Sequence, residues 1–151
     1  MNNDELKNYL GQNFSGYSLK ESFDFPELHV PKEEILDVLK QLKEDPATAF
    51  DSLFCETAID RNPAFELVYH ITSTRYRHDL VVKTTLDDRE NPVVESVYPL
   101  WMAAELYEDE IYDMFGIRFT NHPKLRRIML TDEWVGYPLR KDYQDEYMIV
   151  K

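Results

Sequence analysis

The sequence predicts an α+β two-layer sandwich: a mainly antiparallel sheet, helices on one of its faces, and an extended C-terminal segment. Three observations carry this. Segments 50–59, 65–73 and 80–86 alternate apolar and polar residues at hairpin spacing. Two stretches, 31–44 and roughly 99–115, repeat apolar residues at the helical period. Beyond Gly116 neither period persists, and the chain becomes rich in Arg, Lys, Pro and aromatics. Such a segment cannot bury itself as a helix or strand and must lie against something. The resulting division is a sandwich over residues 1–116 and an extended, partner-wrapping segment of the same domain over 117–151.

Taken in order, Asn2 to Leu10 predicts a short helix, broken by Gly11 and Gly16. Tyr17 to Phe25 follows as a strand with Leu19, Phe23 and Phe25 as its apolar positions. Pro26 begins a turn, and Leu28-His29-Val30 is a second extended piece. Pro31 opens a helix through Glu44, with Ile35, Val38, Leu39 and Leu42 on one stripe and Glu33-Glu34 near its positive end. Asp45-Pro46 stops it. In the first long strand Leu53, Cys55, Thr57 and Ile59 share a face. In the second, Phe65, Leu67, Tyr69 and Ile71 point inward, with Glu66, His70 and Thr72 outward. Asn62-Pro63 turns between them, and Asp87 to Pro92 is a solvated linker. Pro99 and Gly116 bracket a helix of roughly four turns. Leu100, Ala103, Ala104, Tyr107, Ile111, Met114 and Phe115 lie on one face, with Glu105, Asp109 and Asp113 opposite, as an outward stripe.

The 151 residues suffice for one domain with a real core. A net charge of −12 disfavours nucleic acid and anionic membranes as partners. The charge is uneven: residues 1–113 hold 10 Lys+Arg against 24 Asp+Glu, and residues 114–151 hold 7 against 5. One cysteine, Cys55, excludes an intramolecular disulfide and an iron–sulfur cluster held by this chain alone. No signal-peptide pattern and no run near ~20 apolar residues is present, so direct membrane insertion is not expected.

The residues offer little chemistry. Glu105, Glu108, Asp109, Glu110 and Asp113 with His122 could hold a divalent cation for hydrolysis. Helical phase opposes this, since Glu108 and Glu110 point to flanks about 160° apart. His29, His70 and His78 are scattered, and the catalytic motifs HExxH, GxSxG and CxxC are absent. Arg126-Arg127 and Arg140-Lys141 fit carboxylates on a partner, or on this chain's own acidic helix, better than phosphates. Trp134, Tyr137 and Tyr143 among them are interface-anchor residue types, or else fold the tail over its own core.

From Glu108 the chain runs Glu-Asp-Glu-Ile-Tyr-Asp-Met-Phe-Gly-Ile, followed by Phe119, His122-Pro123 and Arg126-Arg127-Ile128-Met129-Leu130. It closes on Asp132-Glu133-Trp134, Gly136 and Pro138-Leu139-Arg140-Lys141-Asp142-Tyr143. These segments resemble the signature of the 30-kDa-type (C-type) subunit of NADH:quinone oxidoreductase, respiratory complex I. The resemblance covers about two thirds of the chain, with weaker echoes at Phe65 to His70, Val81 to Lys83 and Val94 to Val97. Two positions depart from the family pattern: Asp109 stands where Arg is usual, and Gln144 where Pro is usual.

The resemblance implies a non-catalytic assembly subunit of the peripheral arm, supporting electron transfer from NADH to quinone coupled to ion translocation. No cofactor or metal would be held by this chain; NADH, FMN, iron–sulfur clusters and quinone would reside on partner subunits. Its neighbours would be the quinone-site subunit, a relative of the hydrogenase large subunit, and iron–sulfur subunits. Attachment to the cytoplasmic face of the bacterial inner membrane would be peripheral, through those partners. The expected partner interface comprises Glu108, Glu110, Asp113, His122, Arg126, Arg127, Trp134, Arg140, Lys141 and Tyr143. Two alternatives stand beside it: the equivalent subunit of a membrane-bound hydrogenase or formate hydrogenlyase, and a small metal-dependent hydrolase using Glu105, Asp109, Asp113 and His122.

Overall fold

A computed structural model describes residues 2–22 and 24–148. Its frame is a five-stranded sheet, ordered β1 (Ser18–Glu21), β2 (Pro26–His29), β5 (His78–Leu86), β4 (Phe65–Ser73) and β3 (Ser52–Asp60). Every pairing is antiparallel except β2 with β5, which is parallel. The register carries one inward row across the sheet: Leu19, Leu28, Val82, Tyr69 and Glu56. Three helices close this face: α1 (Asn3–Asn13), α2 (Ile35–Glu44) and α3 (Ala104–Phe115). Leu6 and Leu10, then Ile35, Val38, Leu39 and Leu42, then Ala104, Ile111 and Phe115 join the sheet's inward residues in one buried cluster. Each large side chain so buried contributes roughly 1.5–3 kcal/mol. The predicted two-layer α+β sandwich is the observed one.

Several boundaries differ, for local reasons. An Asn2/Glu5 capping box starts the first helix, which runs past Gly11 to Asn13 because Leu10 and Phe14, on either side of the glycine, are buried and the Phe14 N–H still reaches the Leu10 carbonyl. The first strand is shorter than expected, four residues, and Phe23 lies outside the described residues. Lys32–Glu34 forms a 3-10 turn before α2. α3 begins only at Ala104; residues 98–103 make successive turns, with Leu100 and Trp101 N–H both donating to the Val97 carbonyl.

Two differences matter for function. A register shift between Leu53 and Cys55 marks a β-bulge in β3. The side-chain period is two, so one extra residue reverses the facing of all that follow. Cys55 is therefore only half-buried, Thr57 is exposed, and Glu56, Ala58 and Asp60 turn inward. The expected apolar face of Cys55, Thr57 and Ile59 is corrected accordingly. Second, the residues after Gly116 do not leave the body at once. β7 (Arg118–Thr120) pairs in parallel with β6 (Val93–Glu95), and Ile117 and Phe119 join the core. The segment without helix or strand, here called the tail, runs from Asn121 through the described residues to Met148.

Candidate partner interface

α3 determines what the tail can do, because it is covered on two sides. Its apolar face meets the sheet, as its period requires. The flank expected to face water does not: Asp109 and Asp113, like Glu108, are fully buried. The outward stripe predicted for Glu105, Asp109 and Asp113 is thus overturned, because the tail lies along it. The stripe that does face solvent is Met102, Leu106 and Glu110, one four-residue step apart.

Each buried carboxylate has separate work. Glu108 Oε1 accepts the Ser96 hydroxyl at 2.5 Å and Oε2 the Val97 N–H at 3.1 Å, tying α3 to the segment after β6. Asp109 Oδ1 accepts the Arg126 N–H at 3.2 Å, while Oδ2 is buried without a partner. Burial pushes the Asp109 carboxyl above its ordinary value, against the Arg126 N–H and the nearby His122 and Arg126 side chains. Asp113 is the richest acceptor. Its Oδ2 takes the N–H groups of Ile128, Met129 and Leu130 at 3.2, 2.7 and 3.1 Å, and its Oδ1 takes Arg127 Nη1 at 3.0 Å. Burial alone would raise its pKa; those N–H groups and the guanidinium outweigh it and hold the carboxyl below its ordinary value.

The tail also caps α3. The last turn of the helix carries no basic residue of its own. Gly116, at φ +74°, ends it with its N–H on the Tyr112 carbonyl. The carbonyls left over receive the tail: Arg127 Nη1 donates to Asp113 O at 3.1 Å, the Leu139 N–H to Met114 O at 3.1 Å, and Arg140 Nε to Phe115 O at 2.5 Å. Two cations thereby sit at the negative end of the helix dipole. Arg127 Nη2 further holds the Trp134 and Gly136 carbonyls at 3.2 and 2.9 Å, and its guanidinium lies over the Tyr137 ring at 4.8 Å. Arg140 lies over Phe65 and Tyr137, at 5.0 and 5.2 Å. A Cβ at Gly116 would come within 2.6 Å of the Tyr137 ring and 2.9 Å of Arg140, so the tail needs this glycine for space as well as for φ.

A second clamp lies in the linker expected to be merely solvated. Arg89 grips Asp60 with two bonds of 2.8 Å and reaches Asp142 at 3.1 Å, while the Lys141 N–H donates to Asp60 at 2.9 Å. The Arg89 bonds hold the Asp60 carboxyl far below its ordinary value, more than offsetting burial. Sequence reasoning missed Asp60 and Arg89. The first had only the Asn62-Pro63 turn signal beside it, and the second lay among charges read as solvated.

The ten expected interface residues divide cleanly. Glu108, Asp113 and the His122 ring are turned into their own chain, and Arg127 and Arg140 bond mainly to it. The Tyr143 hydroxyl bonds Asp145 and its ring lies under Gly136. Glu110, Arg126, Trp134 and Lys141 are exposed. Exposed too are Ile128, Met129, Val135 and Leu139, the last two at 87% and 54%. An open depression of about 330 Å³ between Val135, Tyr137, Tyr143 and Gln144 lies beside them.

The ligand set of a metal hydrolase is not assembled. His122 Nδ1 accepts the Lys124 N–H at 3.0 Å, so the ring is the Nε2–H tautomer, and Nε2 lies 3.0 Å from the Glu105 carbonyl. Neither ring nitrogen has a lone pair free, and all the acceptor oxygens of Asp113 face donors.

Comparison with known proteins agrees with the sequence motifs. Residues 28–147 match the family model of the 30 Kd subunit of respiratory-chain NADH dehydrogenase. The C-type NADH-quinone oxidoreductase subunit of Roseiflexus castenholzii is 43% identical over 118 residues, which is 76% of this chain and 67% of that one. The C-type subunit of Moorella thermoacetica is 38% identical over 133 residues, covering 87% and 88%. A C/D-type subunit of the same enzyme from Phocaeicola vulgatus is 40% identical over 78% of this chain but only 22% of its own length. Among solved structures, a chain of the membrane-bound sulfane sulfur reductase, an archaeal respiratory membrane complex, superposes with a TM-score of 0.80 at 27% identity, covering 93% of this chain and 85% of that one.

Proposed function

The chain belongs to the family of 30 Kd subunits of respiratory-chain NADH dehydrogenase, and from that premise we propose that it is a non-catalytic assembly subunit that docks through its tail. In this reading NADH, FMN, iron–sulfur clusters and quinone belong to other chains. The quinone-site subunit is the neighbour that the tail covers, and attachment to the membrane is peripheral and made through such partners. Among the described residues no helix is long and apolar enough to cross a membrane.

One observation carries the proposal. The tail is pinned to α3 through backbone N–H groups and arginines, and it holds Ile128, Met129, Trp134, Val135 and Leu139 out into solvent on that fixed base. A run of large apolar side chains on a rigid support, edged by Arg126, Lys141 and Glu110, has the make-up of an interface core with a charged rim. The match to the NADH dehydrogenase family model and the 38–43% identity to NADH-quinone oxidoreductase subunits support the NADH-linked complex.

The test is co-purification from native membranes. Met129→Asp combined with Val135→Asp changes only exposed side chains, so the isolated chain should melt as before. Losing two central apolar anchors costs about 2 kcal/mol or more, some 30-fold in affinity. Depletion of the partners identified by mass is the expected result. Full recovery of an NADH-oxidising complex with this variant would remove the tail as the docking element.

A further inference from the structure

Beneath α3 lies a group that no docking role uses. Glu56 on β3 is 3% exposed, and among the described residues no N–H or hydroxyl group donates to either of its carboxyl oxygens. The carboxyl facing it is that of Glu108, itself fully buried. On the other side is Tyr69, cross-strand partner of Glu56, whose hydroxyl is also buried and unbonded. The remaining groups are the Cys55 thiol on β3, Ser96 Oγ and Val97 N–H after β6, Asp109 and Glu110 on α3, and His122 from the tail. Among the described residues, no Lys or Arg forms an ion pair with either carboxyl. Two carboxylates cannot both stay charged in one dry interface without a cation. Two donors already satisfy Glu108 as an anion, whereas Glu56 has none.

We propose that Glu56 and Glu108 are a buried acid pair holding one proton on the Glu56 side, and that this proton locks α3, and with it the tail, onto the sheet. While it is present, Glu56 is the donor that Glu108 otherwise lacks on that side. When it leaves, two negative charges confront each other between β3 and α3, and the helix is pushed off the sheet. Asp109 and Asp113, which seat the tail, stand one and five residues beyond Glu108 on the same helix, so the tail loosens with it. Burial and the Glu108 charge raise the Glu56 carboxyl well above its ordinary range. The sign follows from this: a group protonated more tightly when folded stabilises most at low pH, and the stability is lost as pH rises from the unfolded value through the raised folded one. The lock is a property of the folded chain alone and does not depend on the docking proposal.

The experiment uses the full chain and the variants Glu56→Gln and Glu108→Gln. Gln imitates a protonated carboxyl, so Glu56→Gln should fold and should gain stability over wild type at pH 8. Glu108→Gln should lose stability, since one of its two acceptor oxygens becomes a donor facing Ser96 or Val97. The ratio of unfolding constants, wild type over Glu56→Gln, should climb up to tenfold per pH unit above about pH 5. Taking that ratio cancels Asp109, which titrates in the same direction in both chains. Hydrogen exchange at the Ile128 to Leu130 amides, corrected for intrinsic rates, should rise in parallel for wild type only. Infrared spectra at pH 7 should show a protonated-carboxyl stretch that Glu56→Gln removes. A Glu56→Gln chain that fails to fold, a ratio flat with pH, or a carboxyl band unchanged by the substitution overturns the proposal.

Discussion

Asp113→Asn tests whether the tail hangs on a single carboxylate. The amide keeps one acceptor oxygen. If that oxygen takes the place of Oδ2, it still accepts from Ile128, Met129 and Leu130, but as a neutral group, and the new NH2 faces the Arg127 guanidinium. Hydrogen bonds to a charged acceptor contribute about 1.5–3 kcal/mol and neutral ones about 0.5–1.5, so three such bonds weaken by roughly 1 kcal/mol each. Arg127, only 10% exposed, loses its one carboxylate and meets a like donor, a further cost on the order of 1–2 kcal/mol. The sum is about 4–5 kcal/mol, less whatever the tail recovers by shifting. This loss should appear first as local opening, because the core beneath does not depend on the tail amides. Amide hydrogen exchange at residues 128–130 is the assay, with an expected loss of protection of about 10²–10³-fold at pH 7. Acid should imitate the substitution. Asp113 has a depressed pKa, so its contribution is complete above the unfolded carboxylate value near 3.9 and disappears as pH falls through the folded one. Wild type and variant should therefore converge at low pH. A change below tenfold at pH 7, or a gap that widens on acidification, would refute this account of the tail.

Two other substitutions probe the remaining clamps. Gly116→Ala places a Cβ at φ +74° and 2.6 Å from Tyr137, and should cost at least about 2 kcal/mol in thermal unfolding, with release of Arg140 seen as loss of tail protection. Asp60→Asn leaves Arg89, 14% exposed, with the Pro63 carbonyl and the exposed Asp142 in place of a buried carboxylate, and should cost about 3 kcal/mol at pH 7 by chemical denaturation. Because the Asp60 pKa is depressed, that difference should shrink below about pH 4 as wild type is protonated; an unchanged difference would exclude Asp60 as the charged partner.

The sheet and α2 were legible because a single period settles each of them. Phe65, Leu67, Tyr69 and Ile71 fall on one face of β4, and the part-buried Glu66, His70 and Thr72 on the other. The errors arise where one period is asked to describe two environments. α3 has an apolar face for the sheet and a carboxylate flank for the tail, and a helical plot equates a charged flank with water. The donors that make that flank habitable lie 14 to 17 residues further on, which no local pattern reports. Glu56 was misplaced by a bulge, which shifts side-chain facing by one residue without a proline or glycine to announce it. The motif was nevertheless informative. Its acidic residues and its arginines were expected to meet carboxylate to guanidinium, and Arg127 with Asp113 does so within one chain.

The tail inverts the usual arrangement of a folded segment. Ordinarily apolar side chains turn in and backbone polar groups pair with one another. Here the surface to be covered is Asp109, Asp113 and the open carbonyls of Asp113, Met114 and Phe115. None of these can be satisfied by an apolar group. Hydrogen-bond donors must answer them, and the tail supplies these by presenting its backbone N–H groups and Arg127 and Arg140 inward. Its apolar residues are then forced outward, which is why Met129 and Val135 stand in solvent directly beside buried charges. An exposed surface produced in this way is already hydrogen-bonded to its own helix, so binding would have less of it to order. The same anchoring makes the surface conditional. Whatever displaces α3, whether substitution at Asp113 or loss of the proton beneath Glu108, dismantles the platform without altering one residue of the apolar face.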